Sequence, residues 1–170
     1  LTLLPLPDPV TRVTTVLAIG GYSFPGGPTS DVQKTTTSGD SWIESTPFPG
    51  ARAMMAATVL QDGRGLFGTG YSGCGTYPRT FYYADASGAF TPGPTFAGAG
   101  RSRAAMALLP NGDAILAGGM DSDATVLSDV WRLPKGGSTF VQLTTLGLPT
   151  PLSGDTRWSP SPVASSSSAA

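Results

Sequence analysis

"RAMMAATVLQDGRGLFGTG" (52–70) and "RSRAAMALLPNGDAILAGG" (101–119) align without a gap, 49 residues apart. Arg52 falls on Arg101, Leu60 on Leu109, Gly63 on Gly112 and Gly70 on Gly119. One more period toward the N-terminus places Gly70 on Gly21, at the end of "TTVLAIGG" (14–21). The second half of the unit keeps the same spacing. "SDV" at 30–32 returns as "SDV" at 128–130, and the middle copy carries "TFYY" (80–83) across that place. "SGDSW" (38–42), "SGAF" (87–90) and "GGSTF" (136–140) then supply a turn followed by an aromatic, one residue early in the middle copy.

Each unit reads as four strands. The first is of the "AATVLQ" or "AMALLP" type, and a tight turn follows, "QDGR" or "PNGD", in which glycine takes a positive φ. The second is "GLFGTG" or "AILAGG", and a longer polar loop leads to the third, "DVQKTTT", "TFYYADA" or "DVWRLPK". The fourth is "SWIEST", "AFTPGP" or "TFVQLTT". Glycine pairs at the end of the second strand, Gly20–Gly21 and Gly118–Gly119, allow backbone conformations closed to other residues and close approach of neighbouring chain; Thr69 replaces the first glycine before Gly70. The units run over about 10–49, 50–98 and 99–149, within a blade array spanning 1–156. Residues 157–170 begin a further unit at Arg157 or form a Ser/Pro-rich linker tail.

Composition agrees. The 170 residues include 23 Gly and 16 Pro, and only 12% are charged, so long helices are disfavoured and an all-β chain rich in turns is expected. A period near ~50 with four strands is what kelch propeller blades show. The chain resembles the kelch-repeat superfamily over residues 10–146, and most closely the variety found in galactose-oxidase-like proteins, on "R…A…LLPNGDAILAGG" followed by "SDVW" and an aromatic. The resemblance implies about three four-stranded antiparallel blades in an incomplete ring. Trp42, Trp131 and Phe140 are expected between adjacent blades, with sugar stacking as the alternative role. Arg52 and Arg101 open their units and are expected to bond loop carbonyls, with an anion or sugar site as the alternative.

Several function classes are excluded or weakened. Net charge is −1, with 10 basic and 11 acidic residues and no basic stripe, so nucleic acid is not an expected partner. No apolar run approaches the ~20 residues of a membrane span, so no membrane insertion is expected. The opening "LTLLPLP" is too short and Pro-rich for a signal sequence, and the chain is expected to be a mature form or a segment of something longer. There is no histidine, which removes Ser-His-Asp and Cys-His sites from this chain. The galactose-oxidase-like resemblance implies a copper site of imidazoles beside a tyrosine cross-linked to a cysteine. Cys74 lies near Tyr71 and Tyr77 in sequence, but the imidazoles are missing, so those roles are not carried over and no cofactor is expected. Tyr71, Tyr77 and Cys74 remain a candidate ligand or partner surface. Asp121, Asp123 and Asp129 begin like a Ca²⁺ loop without the Gly and Glu that complete one, and Glu44 is the single glutamate.

The expectation is therefore a non-catalytic extracellular scaffold, a candidate subunit of a surface filament or matrix. Only two lysines occur, and the tail "WSPSPVASSSSAA" (158–170) resembles O-glycosylated cell-wall stalks or an ordinary linker. Expected partners are another copy of the chain or further blades of a longer one, with O-linked glycan as a candidate modification. The alternatives are a fragment of a secreted galactose-oxidase-like or other carbohydrate-active enzyme with its metal ligands elsewhere, and an intracellular kelch adaptor. Three blades leave bare edges, so the N-terminal segment and the stretch after Thr156 are expected to pair with another chain.

Overall fold

The alternation of apolar and polar residues, broken every few positions by glycine or proline, yields strands and turns, with no helix among the described residues. The computed structural model describes residues 1–8, 10–36 and 41–143. Within them three four-stranded antiparallel sheets follow one another, each a blade, and the blades do not close a ring. Blade 1 holds β1 (Thr2–Pro7) and β2 (Thr14–Ile19), then a small hairpin of β3 (Tyr22–Ser23) and β4 (Gly27–Pro28), then β5 (Val32–Thr36) and β6 (Ile43–Glu44). Blade 2 holds β7 (Ala56–Val59), β8 (Gly65–Gly68), β9 (Phe81–Ala84) and β10 (Phe90–Pro92). Blade 3 holds β11 (Ala105–Leu108), β12 (Ala114–Ala117), β13 (Val130–Leu133) and β14 (Val141–Gln142). In every blade the strands pair in chain order, and β7 lies between β1 and β11 at the inner edge.

The repeat is visible in the register. Ile19 faces Val32, Gly68 faces Phe81 and Ala117 faces Val130, three cross-strand pairs at one structural position. In the middle blade the glycine makes room for the larger partner, since a Cβ on Gly68 would strike the Phe81 ring. The β7–β8 and β11–β12 hairpins also match: Leu60 N–H donates to Arg64 O (2.8 Å) and Leu109 N–H to Asp113 O (2.8 Å). Gly63 and Gly112 take φ of +86° and +91° in these turns, where a side chain would be strained.

Blade 1 departs from the period at its first strand. Thr2 pairs with Ile19 where Ala56 pairs with Gly68, so the β1–β2 hairpin is longer than the other two and β1 starts well ahead of residue 10. The N-terminal segment forms β1 and pairs with β2 of its own chain at the edge of the sheet.

Two apolar clusters fill the spaces between blades. Leu6, Leu17, Ile19 and Val32 of blade 1 pack with Met55, Phe67 and Ala84 of blade 2. Leu66 and Phe81 on the other face of blade 2 pack with Leu116, Trp131, Leu133 and Phe140 of blade 3. Leu66 and Phe67 are adjacent on β8 and point to opposite faces, as the period of a strand requires. Trp42 departs from its expected place: it is 42% exposed and belongs to neither cluster. Its counterparts Phe90 and Phe140 pack against the preceding blade, and no blade precedes blade 1 among the described residues.

The residue that ends the second strand is left-handed in all three blades, with φ of +60° at Gly20, +57° at Thr69 and +64° at Gly118. Thr69 is β-branched and fully buried, and its hydroxyl has no hydrogen-bond partner among the described residues. Left-handed backbone costs an L-residue about 1–2 kcal/mol, and an unmatched buried hydroxyl adds about 1–3 kcal/mol. Replacement by the glycine found in the other blades removes both costs and loses the packing of one methyl and some chain stiffness. Thr69→Gly is therefore expected to raise the unfolding free energy by about 1 kcal/mol in urea titrations; a fall would show that threonine packing outweighs the strain.

Candidate functional site

Arginine opens blades 2 and 3, and the chain turns it inward. Arg101 is fully buried. Its Nη1 donates to the carbonyl of Gly118 (3.0 Å), Nη1 and Nη2 grip the Asp129 carboxylate (2.5 and 2.8 Å), and Nε donates to the Ala99 carbonyl (3.1 Å). Arg52 repeats the arrangement one period earlier. Its Nη1 donates to the carbonyls of Thr69 (3.3 Å) and Thr80 (2.9 Å), and Nη2 donates to the Thr80 hydroxyl. Thr80 thus stands where Asp129 stands, so one junction is held by an ion pair and the other by neutral acceptors.

The backbone of the same arginines ties each blade to the one before it. Gly21 N–H donates to Arg52 O (2.9 Å), and Gly70 N–H donates to Arg101 O (2.7 Å). A Cβ on Gly20 would run into the Arg52 carbonyl, and one on Gly70 would come within 2.8 Å of the Ala53 carbonyl. Beneath each guanidinium lies a phenylalanine from the linker between blades, Phe48 at 5.3 Å from Arg52 and Phe96 at 5.2 Å from Arg101. Phe48 meets Tyr82 and Phe90 edge-on, and Phe96 meets Phe81, Trp131 and Phe140 edge-on. Trp131 in turn donates its indole N–H to Asp129 (2.6 Å). Phe48 and Phe96 are absent from the expected site residues. Their signal lies in "PFPGAR" and "TFAGAGR", an aromatic four or five residues ahead of the arginine, and the one-residue difference in linker length hides it from a fixed period.

Charge follows geometry. Burial alone would raise the Asp129 carboxyl pKa, but hydrogen bonds from Arg101 and Trp131, with the guanidinium charge, outweigh it and hold it below the usual value. Burial lowers the pKa of Arg52, partly offset by Tyr82. Both forks are spent inside the protein, so neither is open to a substrate. Asp129 is likewise committed, and Asp121 uses its carboxylate to cap the N–H groups of Asp123 and Thr125. Among the described residues no group of three or more His, Cys, Asp or Glu could hold a metal ion.

What remains open is a patch on the rim where the glycines sit. Tyr22 and Tyr71 follow the glycines of blades 1 and 2 at the same structural position. Their rings stack at 6.5 Å between centroids, and Tyr71 meets Tyr77 at 5.4 Å. Tyr22 is exposed, Tyr71 and Tyr77 are half-buried, and Phe24 at the nearby hairpin tip is 94% exposed. The structure therefore brings Tyr71 and Tyr77 together and adds Tyr22, which could have been found from its place after Gly21. Cys74 is an exposed free thiol at the tip of the 72–76 loop, without a hydrogen bond or ring contact among the described residues. This surface can stack on apolar rings and offer phenol hydroxyls. Arg157 and the tail after it lie outside the described residues, as do residues 144–149 of the expected third unit and the "SGD" turn at 38–40.

No protein-family model matches the sequence, and no curated protein matches it.

Removing Arg101 leaves a half-buried carboxylate without its counter-ion, whereas removing Arg52 leaves neutral acceptors. Arg101→Ala is expected to cost about 3–5 kcal/mol of stability, and more than Arg52→Ala, by chemical denaturation. The same ion pair sets a pH dependence. Because the folded carboxyl of Asp129 titrates below the ordinary Asp value of about 3.9, it contributes stability above that pH, and the contribution is lost as pH falls through the lower folded value. In thermal melts between neutral pH and pH about 3, Asp129→Asn is expected to show a flatter acid limb than the unaltered chain.

Proposed function

We propose that this chain is an extracellular, non-catalytic scaffold of kelch-type blades that binds partners through its rim and blade faces. The observation that carries the reading is the fate of the chemically capable residues. Arg52, Arg101 and Asp129 are consumed in joining blades, and Asp121 caps a turn. Catalysis needs groups poised in a pocket against a substrate, and residues locked into structural pairs do not serve that purpose. The exposed tyrosines support a binding role, since aromatic faces on a rigid rim supply contact area at low entropic cost. The low share of charged residues and the Ser/Pro-rich tail favour a surface or matrix setting with O-linked glycan, and another copy of the chain or further blades as partner.

A second reading has one observation in its favour. Cys74 lies in the loop that joins Tyr71 to Tyr77, and those two rings are in contact. This favours a piece of a galactose-oxidase-like enzyme whose remaining ligands come from elsewhere. An assay separates the two. The purified chain is offered galactose, other primary alcohols and glycosides, with and without Cu²⁺ or Ca²⁺. The scaffold reading expects no turnover above a Cys74→Ser, Tyr77→Phe control; turnover that this control abolishes would replace it with the oxidase reading.

A further inference from the structure

The blades meet differently at the end of the strands opposite the glycine rim. Across the junction of blades 1 and 2, Lys34 Nζ donates to the carbonyl of Ser87 in the β9–β10 turn (2.8 Å). Tyr83 holds the same register place in blade 2, opposite Leu66 as Lys34 is opposite Leu17. It makes no such tie to blade 3, and among the described residues no side chain of blade 2 hydrogen-bonds the β13–β14 turn at 134–137. A cavity of about 200 Å³ remains between this turn and blade 2.

Leu60, Ala114 and Leu133 give the cavity an apolar floor, and Ala114 and Leu133 are almost fully buried. Tyr83, Gln61 and Lys135 stand at its walls. Tyr83 is half-buried, and its hydroxyl has no hydrogen bond among the described residues. Its ring is fixed against Arg64, whose guanidinium lies 4.2 Å from the ring centre and whose Nε and Nη2 are taken by Asp62 (2.8 and 2.7 Å). Asp113 accepts from the Lys135 N–H (2.8 Å) and so fixes the turn, while the Lys135 ammonium has no partner among the described residues. Gln61 reaches across from blade 2. A Cβ on Gly112 would lie 2.7 Å from Gln61 Oε1 and 2.8 Å from Lys135 Cδ, so these two side chains meet over a glycine that leaves them room.

An apolar floor beside a free ammonium and a free phenol hydroxyl matches a molecule with an apolar body and one anionic end. A bare anion would leave the floor uncovered, and a neutral apolar molecule would leave Lys135 unpaired. The cavity is smaller than the ~300–1,000 Å³ of most small-molecule sites, so the body is a single ring or a branched chain. The equivalent opening between blades 1 and 2 has the opposite charge: Asp8, Asp62 and Asp85 line it beside Arg64, and an anion is repelled there. We propose that the cleft between blades 2 and 3 binds a small organic carboxylate, with Lys135 and the Tyr83 hydroxyl as donors to the carboxylate and the apolar body over Leu60 and Leu133. This site is separate from the tyrosine rim and goes beyond the scaffold reading.

The test is a titration of the full, nitrogen-15-labelled chain with benzoate, followed by amide chemical shifts. Benzoate is expected to shift the amides of Gly112 and Gly136 saturably. Benzyl alcohol has the ring without the charge, and acetate the charge without the ring; each is expected to bind at least about tenfold more weakly. Lys135→Arg keeps benzoate binding within about threefold, and Lys135→Glu weakens it at least about tenfold. Circular dichroism and the melting temperatures of both variants stay near those of the unaltered chain, since Lys135 is exposed and its ammonium unpaired. No saturable shift at the cleft, benzyl alcohol or acetate binding as tightly as benzoate, or indifference to Lys135→Glu would overturn the proposal. None of these results bears on turnover, so the scaffold reading stands or falls separately by its own assay.

Discussion

A guanidinium buried between two blades must find an acceptor for its donors or lose the free energy of hydration it gave up. Arg101 meets that demand by gripping the carbonyl of a left-handed residue and a carboxylate from the start of the third strand. The demand runs in both directions. The Gly118 carbonyl faces the arginine because the backbone there is left-handed, and the arginine fork in turn holds that backbone in place. The planar fork suits this task, with several donors in fixed directions, and lysine could not replace it. The main chain of the same residue accepts a hydrogen bond from the preceding blade. One residue thus closes its own blade and joins it to its neighbour.

The apolar interface depends on this junction. Phe48 and Phe96 lie under their guanidinium groups, and each is the hub of an edge-on aromatic cluster. A cation over an aromatic face gains from the ring quadrupole, and here the ring also shields the guanidinium from water. The linkers that bring these rings into place differ in length by one residue, yet the rings reach equivalent positions. The arginine and the inner strand therefore set the geometry, and the linker adapts to them.

This explains what could be read from the amino-acid sequence. The glycine turns, the left-handed pairs and the arginines recur at a fixed spacing because each satisfies a backbone requirement that tolerates few residue types. The all-β class and the four-stranded units follow from them. The interior positions do not recur in identity: Gly68 faces Phe81 where Ile19 faces Val32. A letter-by-letter comparison misses such exchanges. Trp42 is expected between blades because an aromatic after a turn matches Phe140, but Phe140 packs against the preceding blade, and blade 1 has no preceding blade among the described residues, so Trp42 stays at the surface. The first strand was obscured in a similar way, since the β1–β2 hairpin is longer than its counterparts and shifts Thr2 out of the period.

The division between repeated anchor and variable loop places the candidate surface. Beyond the anchored glycines the three blades differ. Blade 1 has the small hairpin of β3 and β4, blade 2 a loop closed by Ser72 and Thr76, and blade 3 a turn capped by Asp121. All three leave the sheet at one rim, where their ends are fixed by the arginine junctions. A loop with fixed ends can change its sequence at little cost to the fold, and rigid scaffolds carry binding residues on such segments for this reason. Tyr22 and Tyr71 directly follow the anchoring glycines, which brings side chains from two independent loops into one stack. Their proximity follows from the spacing of blades 1 and 2, which the bond from Gly21 N–H to Arg52 O holds. The tyrosine stack on the rim is thus positioned by a residue that never reaches it.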